Sequence, residues 1–265
     1  ESNDPRVTIL DNYIQFNDSP LGDITIPSQE IGSTPFDWFL ITADADAVPG
    51  NIQCTVTMTA GTDEYPYQEQ ETINLDLTLS QFGFPLDGIV VKSSPIVADL
   101  DSDGVKEIYF GSDNEALHGY NSFGEEISGF PFQSTDRVRS SPAVGDVDND
   151  GQMEIVFGNS SGKLYIVNHD GSQQLAYTIL GFIEGTPALV DIDGDQDLEI
   201  VFTTTTTSGG QLYGIHHNGI TMSGFPKELG SMWAGPAVHD IDNDGAYDVV
   251  CSTYDKEVYA VEVNG

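Results

Sequence analysis

The stretch SSPAVGDVDNDGQMEIVFGNSSGKLYIVNHDG, residues 140–171, decides the fold. It opens on Pro142 and runs through Val144 into an acidic turn. Two short runs follow, Glu154-Ile155-Val156-Phe157 and Leu164-Tyr165-Ile166-Val167. Both are β-branched or aromatic and are bounded by Gly, Asn, Asp and Ser, which is the composition of strands and tight turns. No segment long enough for a helix carries a helical apolar stripe.

The same pattern recurs three more times. It begins near Ser93 (SSPIVADLDSDGVKEIYFG), Gly185 (GTPALVDIDGDQDLEIVF) and Ala234 (AGPAVHDIDNDGAYDVVCS). The aligned prolines Pro95, Pro142, Pro187 and Pro236 lie 47, 45 and 49 residues apart. A period of that length, filled with short strands, predicts one four-stranded propeller blade per repeat. Gly129-Phe130-Pro131 and Gly224-Phe225-Pro226 mark outer strands, and the orphan Gly83-Phe84-Pro85 stands before the first repeat. Repeat four ends after its third strand, so the segment 80–92 is expected to complete that blade and close a four-bladed ring. An open arc completed from elsewhere is the alternative. Residues 1–79 lack the repeat. They alternate apolar with polar (Ile52 to Met58, Ile73 to Leu77) and predict an antiparallel sandwich, the two readings being that its first strands are absent or that a neighbouring chain supplies them. The expected class is all-β, with a sandwich over 1–79 and a propeller over 80–265.

Acidic residues recur at fixed offsets. The first loop has Asp99, Asp101, Asp103 and Glu107. The second has Asp146, Asp148, Asp150 and Glu154. The fourth has Asp240, Asp242, Asp244 and Asp248. The third has Asp191, Asp193, Asp195, Asp197 and Glu199. Gly104, Gly151 and Gly245 hold position six, counting the first Asp as one; the third loop instead has Gly194 at position four and Gln196 at six. So many carboxylates in nine residues repel unless a cation neutralises them. An all-oxygen set in a flexible loop suits Ca²⁺, up to four per chain, with Mg²⁺ the second choice. Zn²⁺ would want His or Cys, which the loops lack. An EF-hand would need its last acid at position twelve and flanking helices.

The chain has 265 residues with 43 acidic and 8 basic side chains, a formal charge of −35. No basic stripe is present to hold nucleic acid, and no apolar run suits direct membrane insertion. Hydrophobic residues at 38% are enough for a core. Cys54 and Cys251 sit in apolar runs and read as buried thiols. His118 aligns with Tyr165, Tyr213 and Tyr259 and reads as packed. His169, His216 and His217 read as solvated turn residues, and His239 as a candidate for lining a channel. Trp38 and Trp233 read as core or rim. Thr203 to Thr207 reads as an exposed hairpin. Asn17-Asp18-Ser19 and Asn159-Ser160-Ser161 are glycosylation sequons. No nucleophile motif or phosphate-cradling loop appears, so catalysis is not expected.

The motif P-x-V-x-D-x-D-x-D-G-x-x-E-I-x-F-G, as in Pro142 to Gly158, resembles the FG-GAP/VCBS repeat family, which includes the blades of integrin α-subunit propellers. The resemblance covers about residues 82–265. It implies a Ca²⁺-loop propeller, secreted or at the cell surface, with an adhesion or structural role, self-assembly into filaments or layers included. Partners would be a protein or glycan ligand or copies of itself. Family propellers usually have seven blades, so four departs from the pattern. Residues 1–79 weakly resemble the immunoglobulin-like domains that precede such repeats in large secreted bacterial proteins. A carbohydrate-binding module is the alternative function, and a polysaccharide-degrading enzyme a more distant one.

Overall fold

The computed structural model describes residues 50–62, 65–77 and 83–263. The chain divides into two units, Glu1–Gln81 and Phe82–Gly265. In the first, β1 (Gly50–Thr62) and β2 (Tyr65–Leu77) form an antiparallel hairpin with Gly50 opposite Leu77 and Thr62 opposite Tyr65. These strands contain the two predicted runs Ile52 to Met58 and Ile73 to Leu77. The remaining predicted strands of the immunoglobulin-like sandwich, with Trp38 and the Asn17 sequon, lie outside the described residues.

The second unit is a series of four antiparallel sheets, one per repeat. The first has β3 (Ile96–Ala98), β4 (Glu107–Ser112), β5 (Ala116–Tyr120) and β6 (Phe132–Gln133). The second has β7 (Ala143–Gly145), β8 (Glu154–Gly158), β9 (Lys163–Asn168) and β10 (Gln173–Thr178). The third has β11 (Ala188–Val190), β12 (Glu199–Thr203), β13 (Gln211–Ile215) and β14 (Lys227–Glu228). The fourth has β15 (Ala237–His239), β16 (Tyr247–Ser252) and β17 (Val258–Val263). Strands follow one another in spatial order within each sheet. The architecture is all-β and propeller-like, with each sheet a blade.

Strand alternation explains the core. Side chains of β8 point to opposite faces in turn. Ile155 and Phe157 pack with Leu100, Tyr109 and Leu117 of the first blade, while Val156 packs with Ile200, Phe202 and Ile215 of the third. Val201 and Leu212 in turn meet Val249 and Cys251 of the fourth. The core is thus three apolar layers between successive blades, not one centre. Aromatic pairs repeat within it, Phe157 on Tyr165 at 5.3 Å and Phe202 on Tyr213 at 5.1 Å. In the first blade His118 takes the tyrosine's place, stacked on Phe110 at 5.4 Å with Nε2 3.1 Å from Ser112 Oγ. It is a packed residue, as expected. Cys251 is a buried free thiol whose pKa burial raises.

Each blade is joined to the next by a repeated backbone bond. The amides of Asp113, Ser160, Thr205 and Tyr254 donate to the carbonyls of Val90, Arg137, Phe182 and Ser231, each 23 residues earlier, at 2.8–3.0 Å. The following amides of Val138, Ile183 and Met232 donate back to Ser112, Asn159 and Thr204 of the preceding blade. Those three side chains are buried, whereas Val91 at the same position before the first blade is 42% exposed. Among the described residues, 83–92 add no strand to β17, and Val91 instead bridges Ser112 of the first blade. Among the described residues the fourth sheet has three strands, β15 to β17, and no strand of the first blade pairs with it. Gly83 approaches Phe123 and Gly124 as Gly129 approaches Asp170 and Gly171, so the orphan tripeptide seats on the first blade as an outer-strand end would.

Two expectations are corrected here, and a third is narrowed. Thr203, Thr204 and Thr205 are buried rather than exposed. Their hydroxyls donate to the carbonyls of Ala234, Gln211 and Met232, satisfying backbone at the joint of blades three and four; only the tip beyond them reaches solvent. Asn159 of the second sequon is fully buried, with Nδ2 donating to Ser134 and Thr135 and Oδ1 accepting from the amides of Ser161 and Lys163. Its role is to fold the β8–β9 turn. Trp233 is 53% exposed and belongs to the rim.

Gly158 is closely covered by Ile183, so a methyl at this position collides with its side chain. Gly158→Ala is expected to lower stability by about 1–3 kcal/mol through overpacking. Chemical denaturation of the variant against the parent chain checks this.

Candidate metal-binding loops

The acidic turns connect the first and second strands of each blade. Their fold follows from a short amide cradle repeated four times. The position-two amides of Leu100, Val147, Ile192 and Ile241 donate to the position-nine carboxylates of Glu107, Glu154, Glu199 and Asp248 at 2.7–3.3 Å. The position-six amides of Gly104, Gly151, Gln196 and Gly245 donate to Oδ2 of Asp99, Asp146, Asp191 and Asp240. The position-seven amides of Val105, Gln152, Asp197 and Ala246 donate to Asp103, Asp150, Asp195 and Asp244. The carboxylates therefore fold the turn, and the turn in return gathers them.

This curl needs left-handed backbone at two places in each loop. Position six has it in all four, at φ 89° in Gly104, 91° in Gly151, 83° in Gln196 and 95° in Gly245. Position four has it too, in Ser102, Asn149, Gly194 and Asn243. The third loop keeps the geometry while moving its glycine. A Cβ on Gly104, Gly151 or Gly245 meets nothing, so the requirement there is conformational, not steric.

Positions one, three and nine come together. Asp99, Asp101 and Glu107 each offer an oxygen within 4.8 Å of the others, as do Asp146, Asp148 and Glu154, and Asp240, Asp242 and Asp248. In the third loop Asp191, Asp193 and Asp195 gather in this way, and Asp193 and Glu199 form a second group with His216. Asp103, Asp150 and Asp244 turn to the amides named above. Asp197 instead faces His217, with Oδ2 3.5 Å from Nε2.

The position-nine acids are the buried members. Glu107, Glu154 and Glu199 are 7%, 2% and 0% exposed. Burial is the main cause that pushes all three above the usual carboxylate range, with neighbouring aspartates adding to it; the position-two amides oppose the shift. Glu154 is pushed up to about 7. Oδ1 of Asp99 and Oδ1 of Asp148 are buried oxygens with no hydrogen-bond donor. An orphaned, buried carboxylate oxygen beside two further acids is what a hard cation would satisfy, so the donor set fits Ca²⁺.

Sequence reading missed the residue across the hairpin from position nine. Glu154 pairs in register with Asn168, and Asp248 with Glu262. In the third blade the position beyond the Ile200–Ile215 pair is His216, whose Nδ1 lies 3.0 Å from Glu199 Oε1. Counting the strand register would have found it. Gln174, which donates to Asp148 Oδ2 at 2.8 Å, comes from β10 and carries no such signal.

Comparison with known proteins agrees with the repeat. The family model described as FG-GAP-like repeat matches residues 99–157 and 146–202. No curated protein matches the chain. Among solved structures, BBS1N in complex with ARL6DN, soaked with lead, is similar at 10% identity and TM-score 0.48 over 69% of this chain and 55% of that one. The V. cholerae biofilm matrix protein Bap1 is similar at 21% identity and TM-score 0.47 over 64% of this chain and 30% of that one. BamB from Moraxella catarrhalis aligns over 97% of this chain and 100% of that one, at 12% identity and TM-score 0.31. The chain thus spans about half of the BBS1N chain and under a third of the Bap1 chain.

Two outcomes follow from the loop geometry. Gln196 holds a left-handed conformation that a glycine adopts without strain, so Gln196→Gly should raise stability by about 1 kcal/mol in a denaturation measurement. In chelator-treated protein, Glu154 binds its proton more tightly when folded than when unfolded. Its contribution is full below the unfolded pKa near 4.5 and is lost as pH rises through about 7. Glu154→Gln should flatten that part of the metal-free stability–pH profile.

Proposed function

We propose that the chain is a Ca²⁺-binding, propeller-like module with a non-catalytic adhesion or structural role outside the cell. The observation that carries this reading is the fourfold recurrence of one carboxylate turn, two copies of which hold a buried oxygen without a donor. Asp99, Asp101 and Glu107 would hold the ion in the first loop, Asp146, Asp148 and Glu154 in the second, and Asp240, Asp242 and Asp248 in the fourth. Asp191, Asp193 and Asp195 would do so in the third. Bound Ca²⁺ would neutralise carboxylates that otherwise repel. Millimolar extracellular Ca²⁺ saturates even weak sites of this kind, and an external location suits that supply. Among the described residues no helix is long and apolar enough to cross a membrane.

A second reading, carbohydrate binding, is favoured by one feature. A cavity of about 330 Å³ lies beside the first loop, lined by Asp101, Asp103, Asn121, Phe123 and His169 among others. Phe123 is 58% exposed, and an exposed ring beside polar groups is a platform for a sugar face. A glycan array separates the readings: a hit lost in Phe123→Ala supports the sugar site, and no hit leaves the structural role.

Ions that bind the folded state alone stabilise it by RT ln(1 + [L]/Kd) for each site. Transfer from millimolar Ca²⁺ to excess EGTA should therefore lower Tm by many degrees, and Asp148→Asn should shrink that difference. An unchanged Tm would overturn the reading.

A further inference from the structure

The third loop differs from the others in chemistry. Asp193, Glu199 and His216 each offer one ligand atom, all within 4.8 Å of one another. Among the described residues, the other gathered groups hold carboxylates alone. Across the hairpin from position nine, the second blade has Asn168 and the fourth Glu262. Only the third presents an imidazole, from the residue just beyond the end of β13 (Gln211–Ile215).

We infer that the third loop is a mixed nitrogen–oxygen site for a borderline transition ion such as Zn²⁺, held by Asp193, Glu199 and Nδ1 of His216. This rests on the reading of the acidic turns as cation loops and changes the ion at one of them. Ca²⁺ is a hard cation that takes oxygen, whereas imidazole suits Zn²⁺ and its neighbours. Zn–N and Zn–O distances near ~2.1 Å place adjacent ligand atoms about 3.0–3.4 Å apart. His216 Nδ1 and Glu199 Oε1 are already 3.0 Å apart. Glu199 is fixed from behind, because its Oε2 accepts the Ile192 amide at 2.7 Å. A ligand whose second oxygen is held by backbone is pre-oriented, the usual support of a metal-binding carboxylate. Asp193 is exposed and can swing to close the third ligand position, and solvent supplies the fourth. The neutral imidazole would carry its remaining proton on Nε2. The third loop also has the odd glycine placement, Gly194 at position four, while the Gln196 amide at position six still donates to Asp191.

The test uses the whole chain saturated with millimolar Ca²⁺ and titrated with Zn²⁺ by calorimetry, with Co²⁺ absorption as a second readout. One Zn²⁺ should bind per chain. His216→Asn, which installs the residue found at the matching place in the second blade, should weaken Zn²⁺ binding at least tenfold and remove the Co²⁺ ligand-field bands. His217→Ala should retain both. Calcium stoichiometry at the other loops, measured in the same samples, should not change in either variant. Zn²⁺ binding that survives His216→Asn, or no Zn²⁺ binding in the Ca²⁺-saturated chain, overturns the proposal. Absent Ca²⁺ binding with His216-dependent Zn²⁺ binding would instead overturn the broader calcium reading and leave this one standing.

Discussion

Repulsion among carboxylates held within 4.8 Å of one another is the constraint on which the blades depend. Each turn answers it twice. Backbone amides at positions two, six and seven donate to the acids, which lowers the cost of gathering them. That cradle then fixes where the second strand of the blade begins, because the position-nine acid sits at its start. In the first three repeats this acid is buried, so one end of β4, β8 and β12 is anchored by a charge that the interior does not favour. On the proposed calcium-binding reading, a cation would complete the compensation that the amides begin. Stability of the blade and occupancy of the loop are on this account one quantity.

The rest of the second unit is repetition of short-range rules. Strand alternation sends neighbouring residues of β8 and β12 into two different apolar layers, so each of the two middle blades is half of two cores. The backbone bond over 23 residues sets each blade against the chain segment that enters it, and the buried Val138, Ile183 and Met232 fill the space between. In the first blade Asp113 adds a polar clamp, bonded to Arg139 at 2.7 and 3.2 Å and to Lys92 at 3.3 Å. Those cations hold its pKa down to about 2.

Much of this was legible in the residues. The period, the strand runs and the placement of Asp99, Asp146, Asp191 and Asp240 are local features, and local patterns survive into structure. The β-branched and aromatic run Ile155-Val156-Phe157 marks a strand but not which blade each side chain meets. What stayed hidden was non-local. His216 reads as a turn residue until the register places it across from Glu199. Thr203 and Thr205 read as part of an exposed hairpin, yet their hydroxyls donate to the carbonyls of Ala234 and Met232, 31 and 27 residues further on. Asn159 reads as a glycan acceptor until its Nδ2 is seen donating to Ser134 and Thr135, 25 and 24 residues back. In each case a polar group found a partner many residues away, which spacing along the chain does not encode.

The most direct measurement of the central claim is calcium stoichiometry by equilibrium dialysis and elemental analysis of the intact chain. At least three Ca²⁺ per chain are expected, with one lost when both Asp146 and Asp148 are changed to Asn and the other sites unaffected. A chain that retains no Ca²⁺ at millimolar concentration would contradict the account.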